Sequence, residues 1–322
     1  MTRLPLLAIA LASFARAETL TAYTALDRGE AAAYFEAFTR DTGIQVRWVR
    51  LSSGETLARV RAEKERPQAS LWFGGPSLDL SVAAADGLLE PYTPRTLASF
   101  RPGQRDGRWR WVGFSVGVLA FASNPEVLAR KKVGLPHAWA DLLRPPYANE
   151  VSMAYAYTSG TAYTVLATLA QLFGEEKAVA YFSALDKNVH HYTRSGAACV
   201  TQVGLAEVGT CIAFAHDILN KGKAKGYPVE LSFPSEGTGY EVASMAVIAG
   251  APQRELAQRF VDWAVSQPVQ ATLERYHRLP VRDDVPRPSS LPEDLKLIDF
   301  DTEQAIARRR PLIDAWREAT GQ

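Results

Sequence analysis

From Thr19 onward, short β-branched or apolar runs alternate with stretches of helical periodicity. Thr19 to Thr24 reads as a strand, and Asp27-x-x-Glu30 behind it has the pattern of a capping box. Ala31, Tyr34, Phe35 and Phe38 then fall at i, i+3, i+4 and i+7, the buried stripe of a helix. Gln45 to Leu51 is a second strand. Ser52-x-x-Glu55 opens a second helix with Leu57 and Val60 inward, and Pro67 ends it. Ala69 to Phe73 predicts a third strand, running into Gly74-Gly75-Pro76-Ser77 and a further helix. Such alternation predicts a parallel sheet covered on both faces by helices, an α/β class.

The pattern changes at Trp109 to Ser123, a long apolar run punctuated by glycine with no helix inside it. It ends in Asn124-Pro125, a helix start with Asn124 as cap and Pro125 as first helical residue. A second alternating series follows. Val151 to Ala156 is a strand, and Ser159-Gly160-Thr161 leads a helix with Ala162, Val165, Leu166 and Leu169 inward and Gly174 at its end. Glu175 to Leu185 is helical, Ser195-Gly196 opens an alanine-rich helix, and Thr210 to Phe214 is a strand ending at His216-Asp217. Glu241 to Ile248 is a second long apolar strand, before a helix from Gln253 to Ser266.

Two α/β series separated by two long strands predict two doubly wound lobes. Residues 18–115 with 245–295 form one and 116–244 the other, with hinges out through Trp111–Ser123 and back through Glu241–Ile248. Residues 296–322 are a C-terminal helical segment that the pattern assigns to neither lobe, and the proline-rich stretch Pro280 to Pro292 reads as an ordered or semi-rigid connection. In open α/β sheets, ligands sit at the carboxyl ends of strands. Here those loops carry Ser52-Ser53-Gly54, Ser159-Gly160-Thr161 and Ser195-Gly196, whose hydroxyls and backbone N–H groups suit an anion.

The first residues bear on compartment. Arg3, the apolar run Leu4 to Phe14 and Ala15-Arg16-Ala17 ahead of Glu18 form the three regions of a secretory signal peptide, residues 1–17. The run is shorter than the ~20 apolar residues that span a bilayer, so no membrane insertion is expected. No cysteine stands near the cleavage site to carry a lipid, which favours the periplasm. Removing Arg3 and Arg16 with the leader leaves 34 basic against 35 acidic residues, a balance that gives no reason to expect nucleic acid as partner. The chain is expected to act as a monomer. Only Cys199 and Cys211 are present; an oxidising compartment favours their pairing as a disulfide, with two separate buried thiols as the alternative.

Motifs for chemistry are few. Gly113-Phe114-Ser115-Val116-Gly117 matches G-x-S-x-G, but the nucleophile elbow requires a helix after the serine, and Val118 to Phe121 continue a strand. There is no phosphate loop, H-E-x-x-H helix or C-x-x-C pair. Ser159 is either a plain N-cap or an anion contact, and the two roles are compatible. Arg194 beside Ser195-Gly196 adds a guanidinium able to grip phosphate or carboxylate, or is simply exposed. Asp217 is either an N-cap or a ligand contact. His190-His191 reads as a surface pair, and no metal is assigned.

Tyr157-Thr158-Ser159-Gly160-Thr161-Ala162-Tyr163, Tyr192-Thr193-Arg194-Ser195-Gly196-Ala197-Ala198, His216-Asp217 and Glu236-Gly237-Thr238-Gly239-Tyr240-Glu241 together resemble the ferric-binding-like branch of periplasmic binding proteins. The likeness runs in order through essentially the whole mature chain. It implies the type II bilobal fold, an ABC permease and its ATPase as partners, and neither catalysis nor cofactor. That branch holds ferric-iron binders and relatives that take phosphorylated organic solutes such as hexose phosphates. In the ferric proteins two adjacent tyrosines follow the second-lobe strand; the matching positions here are His216 and Asp217. A histidine and a glutamate that complete the iron site are likewise replaced by Thr24-Ala25-Leu26-Asp27 and Gly74-Gly75-Pro76. The Ser-Gly-x helix start that holds an accompanying phosphate is kept as Ser159-Gly160-Thr161.

In the sugar-phosphate relatives a His-Asp pair and a nearby glutamate hold hydroxyls. The resemblance carries those roles to His216, Asp217 and one of Glu236 and Glu241. With Thr24, Ser53 and Gly75 facing them from the first lobe, the expected ligand is a small phosphorylated or otherwise anionic organic solute. A ferric receptor rebuilt on Asp217, Glu236 and Glu241 is the alternative, and a serine hydrolase using Ser115 a third reading.

Overall fold

The computed structural model describes residues 18–96, 100–101 and 103–322, so the leader expected over 1–17 lies outside the described residues. The first alternating series forms β1 (Thr19–Thr24), α1 (Arg28–Thr42), β2 (Gln45–Arg50), α2 (Ser53–Ala62), β3 (Leu71–Pro76) and α3 (Ser77–Ala85). β1 lies between β2 and β3 and pairs in parallel with both. The Ser52–Glu55 capping box is complete: Ser52 Oγ accepts from Glu55 N at 3.3 Å, and Glu55 Oε2 accepts from Ser52 N at 2.7 Å. The box expected at Asp27–Glu30 is only half made. Asp27 Oδ1 accepts from Gly29 N at 2.9 Å, but Glu30 turns inward to pair with Arg278, because a buried guanidinium competes for its carboxylate. β3 runs past Phe73 through Gly74 and Gly75, with φ of 82° and 105°, a conformation that favours glycine.

After β4 (Leu89–Glu90) the chain enters β5 (Val112–Ser123), buried along its whole length, and then α4 (Pro125–Arg130). Asn124 caps α4, its Oδ1 accepting from Glu126 N and Val127 N at 3.0 and 3.2 Å. The second series follows two short 3-10 turns: β6 (Val151–Ala154), α5 (Gly160–Phe173), α6 (Glu175–Asp186), β7 (Val189–Thr193), α7 (Ala198–Gly204), β8 (Thr210–Phe214) and α8 (Ala215–Asp217). The return comprises β9 (Glu230–Ser232), β10 (Tyr240–Ile248), α9 (Arg254–Ala264), α10 (Gln267–Ala271), β11 (Leu279–Pro280) and α11 (Thr302–Thr320).

β5 belongs to two sheets. Val112 to Val118 pair antiparallel with β10, whereas Leu119 to Ser123 pair antiparallel with β8. The strand order is therefore β2-β1-β3-β10-β5 in one lobe and β5-β8-β6-β7 in the other, the type II arrangement. A third crossing lies beside these hinges: Thr238 N donates to Lys296 O at 2.9 Å, and Ile298 N donates back to Thr238 O at 3.0 Å. It delivers α11 to the second lobe, where Ala305, Leu312 and Trp316 join a core with Phe121, Trp139 and Tyr163. The C-terminal segment thus packs mainly on the second lobe, a placement set by the apolar face of α11. The first-lobe core centres on Phe73, edge-on to Phe114 and Phe260 at 4.8 and 4.9 Å between centroids.

Cys199 at the start of α7 and Cys211 on β8 are both fully buried and joined as a disulfide, Cα atoms 6.0 Å apart. The bond ties α7, and the loop before it, to β8, the strand that leads into His216. Replacing both cysteines with alanine is expected to cost roughly 3 kcal/mol in chemical denaturation, the stabilisation of a short closed loop. A loss below about 1 kcal/mol would show that core packing alone holds α7 in place.

Candidate functional site

The loops at the carboxyl ends of the strands meet across a cleft of about 470 Å³, within the usual range for a small-molecule site. The first lobe contributes Ala25 to Asp27 after β1, Arg50 and Ser52 to Gly54 around the start of α2, Gly75, Pro76, Asp79 and Arg278. The second contributes Tyr157 to Thr161, Arg194 to Ala197, Phe214, His216, Asp217 and Lys221. Glu241 and Ala243 of β10 also line it, and Arg309 reaches in from α11.

One end is built from backbone donors. Ser159 caps α5, its Oγ accepting from Ala162 N at 3.3 Å, and the N-terminus of this 14-residue helix opens to the cleft through Gly160 and Thr161. A helix start carries unpaired N–H groups and a partial positive charge. Two glycines keep it open. A Cβ on Gly160 would lie 3.2 Å from Pro76 of the opposite lobe, and one on Gly196 would overlap Thr161. Arg194 is exposed and makes no ion pair among the described residues; Thr158 Oγ1 holds its loop by donating to Arg194 O at 3.0 Å. Ser195 makes no cap to α7, so its hydroxyl is not committed to that helix.

The rest of the cleft holds charged side chains, and Glu241 reaches back to the helix start, its Oε2 3.9 Å from where a Cβ on Gly160 would lie. The His216 ring stacks on Phe214, centroids 5.4 Å apart and 13° between planes, and rests against the hinge at Gly117, where a Cβ would sit 2.7 Å from Cε1. Its Nδ1 is buried with no hydrogen-bond partner, and its Nε2 lies 3.8 Å from Asp217 Oδ2. Burial, then the Arg278 charge, lowers His216 to about 3, so the ring is neutral at pH 7. Burial opposes the Asp217 carboxylate, yet His216, Lys221 and Arg278 outweigh it and hold Asp217 below the usual range; Lys221 Nζ lies 2.8 Å from Oδ1. Burial pushes Glu241 up to about 7 against the pull of Arg278, with Asp217 and Asp79 adding to the rise. Arg278 is itself buried and paired with Glu30, Nη2 donating to Oε2 at 3.1 Å.

Ser53, Gly75, Ser159, Gly160, Thr161, Arg194, Ser195, His216, Asp217 and Glu241 therefore line one cleft. Thr24 and Glu236 do not. Thr24 is wholly buried and its Oγ1 accepts from Leu26 N at 3.2 Å, shaping the loop from beneath. Glu236 accepts from Trp139 N at 3.1 Å, capping the 3-10 turn Trp139–Leu143 away from the cleft. Of the two glutamates only Glu241 faces the site, and the oxygen set suggested for iron loses a member. Among the described residues no three of His, Cys, Asp and Glu are grouped to hold a metal ion. Asp217 makes no side-chain cap. Ser115 is fully buried inside β5, which runs on as strand to Ser123 where a nucleophile elbow would turn into a helix, and this overturns the hydrolase reading.

Arg50, Asp79, Lys221, Arg278 and Arg309 line the cleft without having been singled out from sequence. Lys221, four residues after Asp217, had a helical signal available. Arg278 and Arg309 had none, since they arrive from distant parts of the chain.

His216 makes stability depend on pH with a definite sign. Its folded pKa lies below the unfolded value, so its contribution is complete above about pH 6.5 and is lost as pH falls toward about 3. Between pH 6.5 and 5 the ligand-free protein should lose roughly 1.4 kcal/mol per pH unit more than His216→Asn, by urea denaturation. Parallel pH profiles would show that His216 protonates freely in the folded state.

The sequence matches the bacterial extracellular solute-binding protein family over residues 80–305. A protein of Haemophilus influenzae without an assigned function is 35% identical over 294 residues, 87% of this chain and 84% of its own length. A Salmonella typhimurium periplasmic protein, provisionally named as 2-aminoethylphosphonate-binding, is 27% identical over 260 residues, 78% of this chain and 74% of its own. The solved structure of the periplasmic binding protein AfuA from Actinobacillus pleuropneumoniae, with exogenous fructose-6-phosphate bound, superposes with a TM-score of 0.86. Its identity is 31%, covering 94% of this chain and 99% of that one. Two lobes around a polar cleft agree with that match, and the chain belongs to the bacterial extracellular solute-binding protein family.

Proposed function

We propose that this protein is the periplasmic receptor of an ABC importer and captures a small phosphorylated organic solute between its lobes. The observation that carries the reading is the α5 N-terminus, opened by Gly160 and Gly196 and flanked by Arg194, which has no acidic partner among the described residues. Phosphate oxygens suit such a group because several oriented donors and a guanidinium can share one dianion. Ser159, Gly160, Thr161, Arg194 and Ser195 hold the phosphate in this reading, with Ser53 approaching from the first lobe. His216 and Asp217 hold hydroxyls at the other end, with Glu241 between the two. Ligands carried by AfuA and named for the Salmonella relative both contain phosphorus bound to oxygen, which supports the class.

The lobes, between which the chain passes at Val118 and Leu119 on β5 and again ahead of β10, close about the ligand on the hinge strands. A ligand touching both favours the closed state by its differential affinity. The closed receptor, acting as a monomer, delivers its cargo to a permease and its ATPase. Export removes residues 1–17.

Two experiments test this. Intact mass of the exported protein should begin at Glu18; a mass retaining Met1 to Ala17 would reject the exported receptor. A thermal-shift panel should respond to sugar phosphates and not to ferric citrate, since ligand at 100 times its Kd adds about 2.7 kcal/mol. Arg194→Ala should weaken every phosphorylated ligand about tenfold or more, the worth of a charge-assisted hydrogen bond, and Ser159→Ala should weaken them in the same direction. His216→Ala and Asp217→Ala should instead change which ligand is preferred. Iron-loaded protein with no response to any phosphorylated compound would reverse the assignment.

A further inference from the structure

We propose that Arg278, held in the cleft wall by Glu30, is a specificity-determining residue that selects an uncharged oxygen at the ligand's non-phosphorylated end and excludes an ammonium group there. The inference rests on the phosphorylated-solute reading and names the class of solute within it.

The charged groups at that end are already matched. Arg278 pairs with Glu30, Lys221 with Asp217 at 2.8 Å, and Arg309 with Asp79 at 2.8 Å. Of the acids lining the cleft, Asp217 and Asp79 are thus occupied by fixed cations, whereas among the described residues no cation pairs with Glu241 or with Asp27 at the start of α1. Glu241 shares its surroundings with Arg278, whose charge bears directly on it. An ammonium placed there would stand beside the buried Arg278, and like charges in such a site repel strongly. Arg278 cannot relieve this by losing a proton, whereas a lysine could.

An oxygen meets the opposite situation. Arg278 and His216 both line the cleft, with Arg278 Nε turned 3.1 Å from Glu30 Oε1 and His216 Nδ1 against Gly117. A hydroxyl or carbonyl oxygen can accept from the guanidinium, and a hydroxyl can also exchange a hydrogen bond with the imidazole. Glu30 is the positioning residue: it lies on α1, does not line the cleft, and its carboxylate fixes the fork of Arg278. Its departure from the expected capping box has this consequence.

Glucose 6-phosphate and glucosamine 6-phosphate are matched probes, differing by a hydroxyl or an ammonium at a single carbon. Calorimetry on the mature chain, at a pH where the amine is protonated, should show the glucose compound bound about tenfold tighter or more. Glu30→Gln/Arg278→Gln, which removes both buried charges together and so leaves neither unpaired, should bring the two within about twofold. Arg278→Lys, able to shed its proton beside an ammonium, should leave a preference smaller than that of the wild type. Equal binding of both probes by the wild type would overturn the inference and leave the receptor reading standing. Undiminished preference in the double variant would overturn it too. Binding of neither probe would overturn the sugar-phosphate reading and this inference with it.

Discussion

β5 gives the first half of its hydrogen-bond ladder to one sheet and the second half to the other, with the change between Val118 and Leu119. Everything else in the molecule is arranged around that shared strand. Each lobe closes its sheet on a different part of one continuous backbone, so the loops of both lobes meet at the changeover. The site's position follows from it. His216 leaves β8 and lies against Gly117 of the first half, so the hinge is itself a wall of the cleft. A side chain at 117 would displace the imidazole, which ties hinge backbone and ligand chemistry to the same few atoms.

The two ends of the cleft work by different physics. At the α5 end, fixed dipoles and Arg194, without an ion-pair partner among the described residues, act on whatever anion arrives, and small residues admit it closely. At the other end, paired side chains cancel most of one another's charge, and burial keeps His216 neutral. A strongly directional anion site joined to a nearly neutral polar site suits a solute with one charged end. The disulfide contributes at a distance, because α7 and β8 carry the loops of the two ends, and Cys199–Cys211 keeps them in register.

Iron chemistry and phosphate chemistry are separated in this fold by few residues. Ferric iron needs several hard oxygen ligands gathered together, whereas phosphate needs donors such as those of a helix start. Here Glu236 spends its carboxylate on Trp139 N, and Thr24 lies beneath its loop. Those two positions show why loop residues are harder to place than strand or helix residues. A glutamate in a turn has several backbone donors within reach, and only the folded geometry selects among them.

What the sequence determined by itself was local and periodic. The stripe of Ala31, Tyr34, Phe35 and Phe38, the caps at Ser52, Asn124 and Ser159, and the strand at Thr210–Phe214 all depend on neighbours within a few residues, and all stand in the structure. The fold class, and the cleft residues that sit at helix starts, follow from that periodicity. Tertiary structure alone decided the rest: Glu30 left its expected cap for Arg278, 248 residues away; α11 chose the second lobe; and Arg309 reached Asp79 across the cleft. Ion pairs between distant charges carry no local signature, because a charged side chain reads the same in sequence whether its partner is water or a buried acid.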